Sequence, residues 1–325
     1  GNTSFKMGNI MFIKSSGCSL SSININKNYV GLNFNGIKNK LKNIQSSNKK
    51  EREKQSKELV DSNIVFLKDY KPSIETSLHC LTYKYTVHLH PIQFNYISAL
   101  ENIDKILEKL FTDYCIIDYH TPGIDVTLEL LRVYKQEKII FMKNHGIVIT
   151  SDNSQEINII LKNIIETLET HLKLDLKKYH LVNDISDCLK QKYNDIFITY
   201  LVENEFINNY INKLNEDDLK KCFQSFFPDK VVYCGISCVF LEENICVKNI
   251  NDYIKNYEEI PKIFIYLSDK KYMYTSSNSL NKCRDIEQVL LSHFLCYNAS
   301  NIILKNQEIK YLNNWEAEKY RQSIK

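Results

Sequence analysis

Residues Lys71 to His90 read KPSIETSLHCLTYKYTVHLH, and the fold of the chain is read outward from them. Pro72 keeps Lys71 extended, and Ser73 is a good N-cap for a helix over Ile74 to Leu81. Glu75 and His79, four apart, share one face of that helix. The free N–H groups at its start, beside Ser73, favour an anion. From Tyr83 to His90 the pattern changes to alternation. Tyr83, Tyr85, Val87 and Leu89 face one way, and Lys84, Thr86, His88 and His90 the other. Two histidines at i and i+2 therefore stand side by side on a strand, where on a helix they would point nearly apart. Strand geometry is what makes such a pair a metal clamp.

A third histidine lies in FMKNHGIVIT, residues 141 to 150. Ile139 to Met142 and Ile147 to Thr150 read as two strands joined by a tight turn at Asn144-His145-Gly146, with Gly146 allowing close backbone approach. Taken singly, a histidine in a strand is ordinarily a satisfied polar residue. Three imidazoles with one open or carboxylate-occupied position form the pattern of a catalytic zinc site. His88, His90 and His145 supply the three. Imidazole suits Zn²⁺ and similar borderline metals. Glu75 is either a fourth ligand of the empty site or an acid/base freed when substrate displaces it. A metal that polarises a carbonyl or hydroxyl lowers the pKa of the neighbouring C–H or O–H, and a nearby carboxylate then moves the proton. His79 either supports Glu75 or simply packs. His120, His171, His180 and His293 are read as structural.

Upstream, GNTSFKMGNIMFIKSSGCSL (1 to 20) reads as a small-polar loop, a short strand over Ile10 to Ile13, and a second loop at Ser15-Ser16-Gly17. Two such loops can bring N–H groups and hydroxyls to one spot that suits an anion; on composition alone they are simply turns. A domain opening inside a loop is expected to have residues upstream of Gly1. Asn24 to Asn35 alternates weakly, and the Lys-rich run from Lys38 to Glu58 reads as a solvated helix or loop. Downstream, helices are expected over Phe94 to Phe111, Asp125 to Gln136 and Ser154 to Leu176, with a strand over Tyr114 to Asp118. After about Asn183 the chain reads as helical to Leu219. Strands then follow at Val231 to Cys234, Ser237 to Leu241, Ile263 to Leu267 and Tyr272 to Thr275, then a helix from Cys283 to Ala299 and a polar tail, LNNWEAEKYRQ. There is no internal repeat and no dinucleotide Gly-rich fingerprint.

Composition bounds the reading. Lys+Arg is 42 against 39 Asp+Glu among 325 residues, a net charge of +3, which argues against nucleic-acid or membrane-surface partners. No apolar run approaches the ~18 residues of a membrane span, and no signal-peptide pattern opens the chain. The ten Cys, among them Cys80, Cys115, Cys234 and Cys238 in apolar runs, read as reduced, buried thiols of a cytoplasmic protein. Cys234 and Cys238 lack a second pair at finger spacing.

Taken jointly and in order, these segments resemble the class II aldolase and adducin head-domain family. GNTS at 1 to 4 resembles its first phosphate loop and KSSG at 14 to 17 its second. KPSIE at 71 to 75 resembles its serine-then-acid segment, VHLH at 87 to 90 its metal pair, and KNHGIVI at 143 to 149 its third ligand. DYHTPG at 118 to 123 is similar to the segment that carries a catalytic tyrosine in some aldolases, which points to Tyr119. The resemblance covers about residues 1 to 180. It implies a three-layer α/β/α sandwich with a mostly antiparallel central sheet. His88, His90 and His145 would bind Zn²⁺ or another divalent transition metal, with Glu75 and Tyr119 as catalytic groups. Asn2, Ser16, Gly17 and Ser73 would line the substrate or phosphate pocket.

The expectation is a metal-binding α/β domain over 1–182, and a helical connection with a small α/β C-terminal domain over 183–325, as in the longer, rhamnulose-phosphate-aldolase-like members. The implied activity is that of a zinc-dependent aldehyde-lyase of carbohydrate metabolism. It would cleave a ketose or ketose phosphate reversibly through a metal-stabilised enediolate, in a homotetramer or other homo-oligomer. The same site also serves decarboxylases, dehydratases and 4-epimerases of sugar or sugar-acid phosphates. A non-catalytic, adducin-like assembly protein is the other alternative, although adducin-like heads lack the metal histidines this chain keeps. Ile74 stands where many aldolases have a second phosphate-binding serine, a departure from the usual phosphate grip.

Overall fold

The alternation over Tyr85, Thr86, Val87 and His88 builds the fifth strand of an eight-stranded sheet in the computed structural model of the protein. The structure describes residues 1–242, 247–297 and 303–314. The chain divides into two compact units, 1–175 and 176–325.

The first unit contains, in order, β1 (Asn2–Met7), β2 (Ile10–Lys14), β3 (Tyr29–Asn33), α1 (Phe34–Leu41), α2 (Lys49–Asp61), β4 (Ile64–Phe66) and α3 (Thr76–Leu81). There follow β5 (Tyr85–Leu89), α4 (Ile92–Ser98), α5 (Ile103–Leu110), β6 (Tyr114–Ile117), α6 (Ile124–Val133), β7 (Ile139–Met142), β8 (Gly146–Ser151) and α7 (Ser154–Leu172). The sheet order is β4-β3-β2-β1-β5-β8-β7-β6. All pairs are antiparallel except β6–β7. Period-2 burial then sorts the side chains. Ile140, Met142 and Val148 pack under α1, α3 and α6 on one face; Phe141, Ile147 and Ile149 pack under α4, α5 and α7 on the other. This is a three-layer arrangement with a mostly antiparallel centre.

Local chemistry explains where the sequence reading shifts. Residues 2 to 7 form a strand and not a loop, because the buried residues Asn2, Ser4 and Lys6 alternate with Thr3, Phe5 and Met7. The expected 94–111 helix is broken between Ser98 and Ile103 into α4 and α5. The polar run after Lys38 is ordered as helix, with α2 capped by the Asn48 side chain accepting from the Lys50 and Glu51 N–H groups. The Asn153 side chain caps α7 by accepting from the Gln155 N–H.

The second unit contains α8 (Lys177–Tyr193), β9 (Ile198–Leu201), α9 (Glu205–Lys213), α10 (Glu216–Lys221), α11 (Pro228–Cys234) and β10 (Val239–Leu241). It continues with α12 (Val247–Tyr257), β11 (Ile263–Tyr266), β12 (Tyr272–Ser277), α13 (Leu280–Tyr297) and α14 (Asn306–Asn314). Residue 182 lies within α8. Among the described residues the unit's four strands run β10-β11-β12-β9. Val231 to Cys234 is helical and not a strand: Pro228 opens α11 and Gly235, at φ 78°, closes it. Ala299 and the WEAEKYRQ tail lie outside the described residues. Cys222, Cys234, Cys238 and Cys283 are buried free thiols. Among the described residues no helix is long and apolar enough to cross a membrane.

Candidate metal centre

His88 is the last fully buried residue of β5, and His90 follows just beyond the strand on the same side. His145 comes from the β7–β8 turn, where Asn144 adopts the left-handed conformation at φ 53° and the His145 N–H donates to the Met142 carbonyl at 3.2 Å. The β5–β8 register, His88 opposite Val148 and Leu89 opposite Ile147, carries this turn to the end of β5. One nitrogen of each ring lies within 4.8 Å of the others. His88 and His90 face each other through their Nε2 atoms at 3.1 Å. Gly146 makes the convergence possible: a Cβ there would stand 2.5 Å from Cδ2 of His90 and 3.2 Å from Nε2 of His88.

Glu75, and not Ser73, occupies the N-cap position of α3, which starts at Thr76 and not at Ile74, and the Glu75 N–H donates to Ser73 Oγ at 3.2 Å. Its carboxylate lies 2.7 Å from Nδ1 of His88 and 3.3 Å from Nε2 of His145. Asn2, opposite His88 in the β1–β5 register, donates from Nδ2 to Glu75 at 3.0 Å and to Ser73 Oγ. Burial alone would raise the Glu75 pKa. Hydrogen bonds from His145, His88 and Asn2 outweigh it and hold the carboxyl well below the usual carboxylate range. A carboxylate only accepts, so His88 donates through Nδ1, and in the neutral ring Nε2 is left as a bare lone pair.

This donor set fits a divalent transition metal. The Nε2 lone pair of His88 faces Nε2 of His90 at 3.1 Å, a spacing that a shared proton or a cation between the rings satisfies, and Nδ1 of His145 is buried without a partner among the described residues. Zinc–nitrogen bonds of about 2.0–2.1 Å place two tetrahedral ligands about 3.3 Å apart, close to the His88–His90 spacing. The Glu75–His88 bond is the carboxylate–histidine pairing that orients a metal-bound imidazole.

The other predicted residues are distributed unevenly. Ser73 and Asn2 join the hydrogen-bonded network at Glu75. Ser16 and Gly17 are exposed in a neighbouring loop, tied to this region by the Ser16 N–H, which donates to the Lys71 carbonyl at 2.8 Å. Tyr119 is 60% exposed on the loop before α6 and is not among the converging groups. That loop ends at Gly123, whose absent Cβ would come within 3.9 Å of the Ile74 carbonyl. His79 is fully buried, with Nδ1 2.7 Å from Ser4 Oγ. Sequence reasoning missed Ser4 because polar residues on the buried face of a strand give no hydrophobic period.

The family model described as the class II aldolase and adducin N-terminal domain matches residues 1–172. No curated protein matches the sequence. Among solved structures, the N-terminal class II aldolase domain of a conserved protein from Thermoplasma acidophilum is similar at 21% identity and a TM-score of 0.47, over 53% of this chain and 83% of that one. A sugar-phosphate aldolase from Thermotoga maritima is similar at 12% identity and a TM-score of 0.38, over 54% and 87%. An L-fuculose-1-phosphate aldolase from Thermus thermophilus is similar at 13% identity and a TM-score of 0.36, over 53% and 82%.

Proposed function

Because the chain belongs to the class II aldolase and adducin N-terminal domain family, we propose that it is a metal-dependent lyase cleaving the aldol bond of a ketose or ketose phosphate. One observation carries this reading: three histidines from two separate segments present one nitrogen each to a common point, with the Glu75 carboxylate against two of them. In this reading His88, His90 and His145 hold Zn²⁺ or another divalent transition metal. When bound, such an ion supplies Lewis acidity to the carbonyl and adjacent hydroxyl oxygens of the substrate.

The chain's own residues do the rest. Glu75 is kept ionised by its donors, and it serves as a base when substrate displaces those hydrogen bonds. In the condensing direction it takes the proton from the carbon beside the carbonyl. Tyr119 gives a proton to the aldehyde oxygen as the carbon–carbon bond forms, and cleavage reverses both transfers. Asn2 bonds the Glu75 carboxylate and Ser73 the Glu75 N–H, and with Ser16 and Gly17 they form the pocket for the polar end of the substrate. An exposed Tyr119 suits a site completed within a homo-oligomer.

Elemental analysis of protein purified without chelator gives the first test, with about one equivalent of a divalent transition metal expected. Cleavage of a panel of ketoses and ketose phosphates is then followed before and after chelation, and in the His88→Ala, His90→Ala double variant. Retro-aldol turnover surviving both treatments would sink the reading. Products of decarboxylation, dehydration or epimerisation from the same panel would redirect it.

A further inference from the structure

Strand β1 presents Asn2, Ser4 and Lys6 to one face, all three buried and all three polar. Each reaches the segment that includes α3. Asn2 donates to Ser73 and Glu75, Ser4 Oγ meets His79 Nδ1 at 2.7 Å, and Lys6 Nζ donates to the carbonyls of Thr82 and Tyr83. The steps match. Two residues along a strand advance about 6.7 Å, and four residues of helix advance about 6 Å. Asn2 to Ser4 therefore keeps pace with Glu75 to His79, and Lys6 meets the extended segment that follows the helix at Thr82 and Tyr83. A helix of six residues has little stability of its own, so tertiary ties decide where it sits.

The middle tie is the informative one. His79 is fully buried and its Nε2 has no partner among the described residues. Burial, with His88 nearby adding to it, pushes the His79 pKa down to about 3. A ring with one bond and one orphaned nitrogen is a poor core filler, and leucine would occupy the place without leaving a polar atom unsatisfied. What imidazole supplies and leucine cannot is the bond to Ser4. One turn before His79 stands Glu75, whose carboxylate holds His88 and His145, and the His79 N–H donates to the Glu75 carbonyl at 3.2 Å.

We propose that His79 is a positioning residue: through Ser4 it fixes the register of α3 on β1 and so places the Glu75 carboxylate against His88. The inference rests on the metal-centre reading only for one arm of its test.

The first arm needs no metal. In chelator-treated, ¹⁵N-histidine-labelled full chain, the Nδ1–H resonance of His88 is assigned from its loss in His88→Gln. His79→Leu and Ser4→Ala are expected to shift that resonance. His79→Asn, which retains a polar atom near the Nδ1 position, is expected to leave it close to wild type. An unmoved resonance in Ser4→Ala overturns the proposal, even where His79→Leu does not fold; so does His79→Asn behaving as His79→Leu does. The second arm titrates Co²⁺. His79→Leu is expected to weaken Co²⁺ binding about tenfold, as loss of an outer-shell partner does, and to weaken it no further in the Glu75→Gln background. Equal losses in both backgrounds mean that His79 does not act through Glu75 and overturn the proposal. A wild-type protein that binds no Co²⁺ instead refutes the metal centre, and the resonance arm alone then decides for His79.

Discussion

Replacing Gly146 by alanine probes the candidate metal centre without altering any of its donors. A Cβ at this position would stand 2.5 Å from the Leu89 carbonyl oxygen and 2.5 Å from Cδ2 of His90. Cβ contacts under 3.0 Å essentially do not occur, so both gaps must open by at least about 0.5 Å. The His90 ring can turn away. The Leu89 carbonyl cannot, because Leu89 is paired with Ile147 in the middle of the sheet. Relief therefore comes from moving the imidazole and parting β5 from β8. Overpacking of this kind costs about 1–3 kcal/mol, and functional constellations tolerate only about 0.5 Å of displacement. The Gly146 φ is not in the left-handed region, so alanine would otherwise be neutral or slightly stabilising there. The expected protein is folded, melts roughly 5 °C lower and binds Zn²⁺ at least about tenfold more weakly. Calorimetric titration of chelator-stripped protein, paired with thermal unfolding, reads both. Wild-type Zn²⁺ affinity with an unshifted midpoint would refute the reasoning.

Chelation should itself lower the melting point: a metal at 100 times its Kd adds about 2.7 kcal/mol to the folded state. Zn²⁺ should restore it in wild type and not in His88→Ala, His90→Ala; identical melts with and without chelator would count against a bound ion. His293 is fully buried, donates from Nε2 to the Cys222 carbonyl at 2.7 Å, and has its pKa pushed down to about 4 by burial. The unfolded ring takes up a proton below about 6.5 and the folded ring only near 4, so unfolding binds protons in this window. Stability is thus lost as pH falls from about 6.5 towards 4, by up to about 3 kcal/mol. Urea unfolding across that range should show a shallower slope in His293→Gln, and an unchanged slope would exclude the group. Arg52 bonds Asp125 through Nε and Nη2 at 2.9 Å each, and the Ser46 and Ser47 carbonyls through Nη1. Both side chains are partly exposed, which limits the expected loss in Arg52→Ala to about 1–2 kcal/mol by urea unfolding. A loss under about 0.3 kcal/mol would make this a solvent-screened surface pair.

The sheet was legible where one face is apolar. Tyr85, Val87 and Leu89 against Thr86 and His88 give a clean period of two, and Ile139 to Met142 with Gly146 to Ser151 give the hairpin. Element type failed where end signals outweighed residue preference or where the element was too short to show a period. The β-branched pair Val231 and Val232 reads as strand yet lies in α11, because Pro228 and Gly235 set the ends of a helix. Ile198 to Leu201 is a strand set within a helical reading, too short to show a period of its own.

β1 was hidden for a physical reason that also concerns the site. Periodicity arguments assume that the buried face of a strand is the apolar one. In β1 the buried residues are Asn2, Ser4 and Lys6, while Phe5 and Met7 are exposed. A buried polar row is tolerated where its donors find partners: the Asn2 amide nitrogen at the start of α3, Ser4 on the helix and Lys6 in the turn after it. Local pattern thus reads correctly wherever burial is paid for by hydrophobic area. It inverts where the chain keeps polar atoms inside to hold a carboxylate and an imidazole in register. The strand that looked least like a strand is the one whose side chains most directly determine where Glu75 stands.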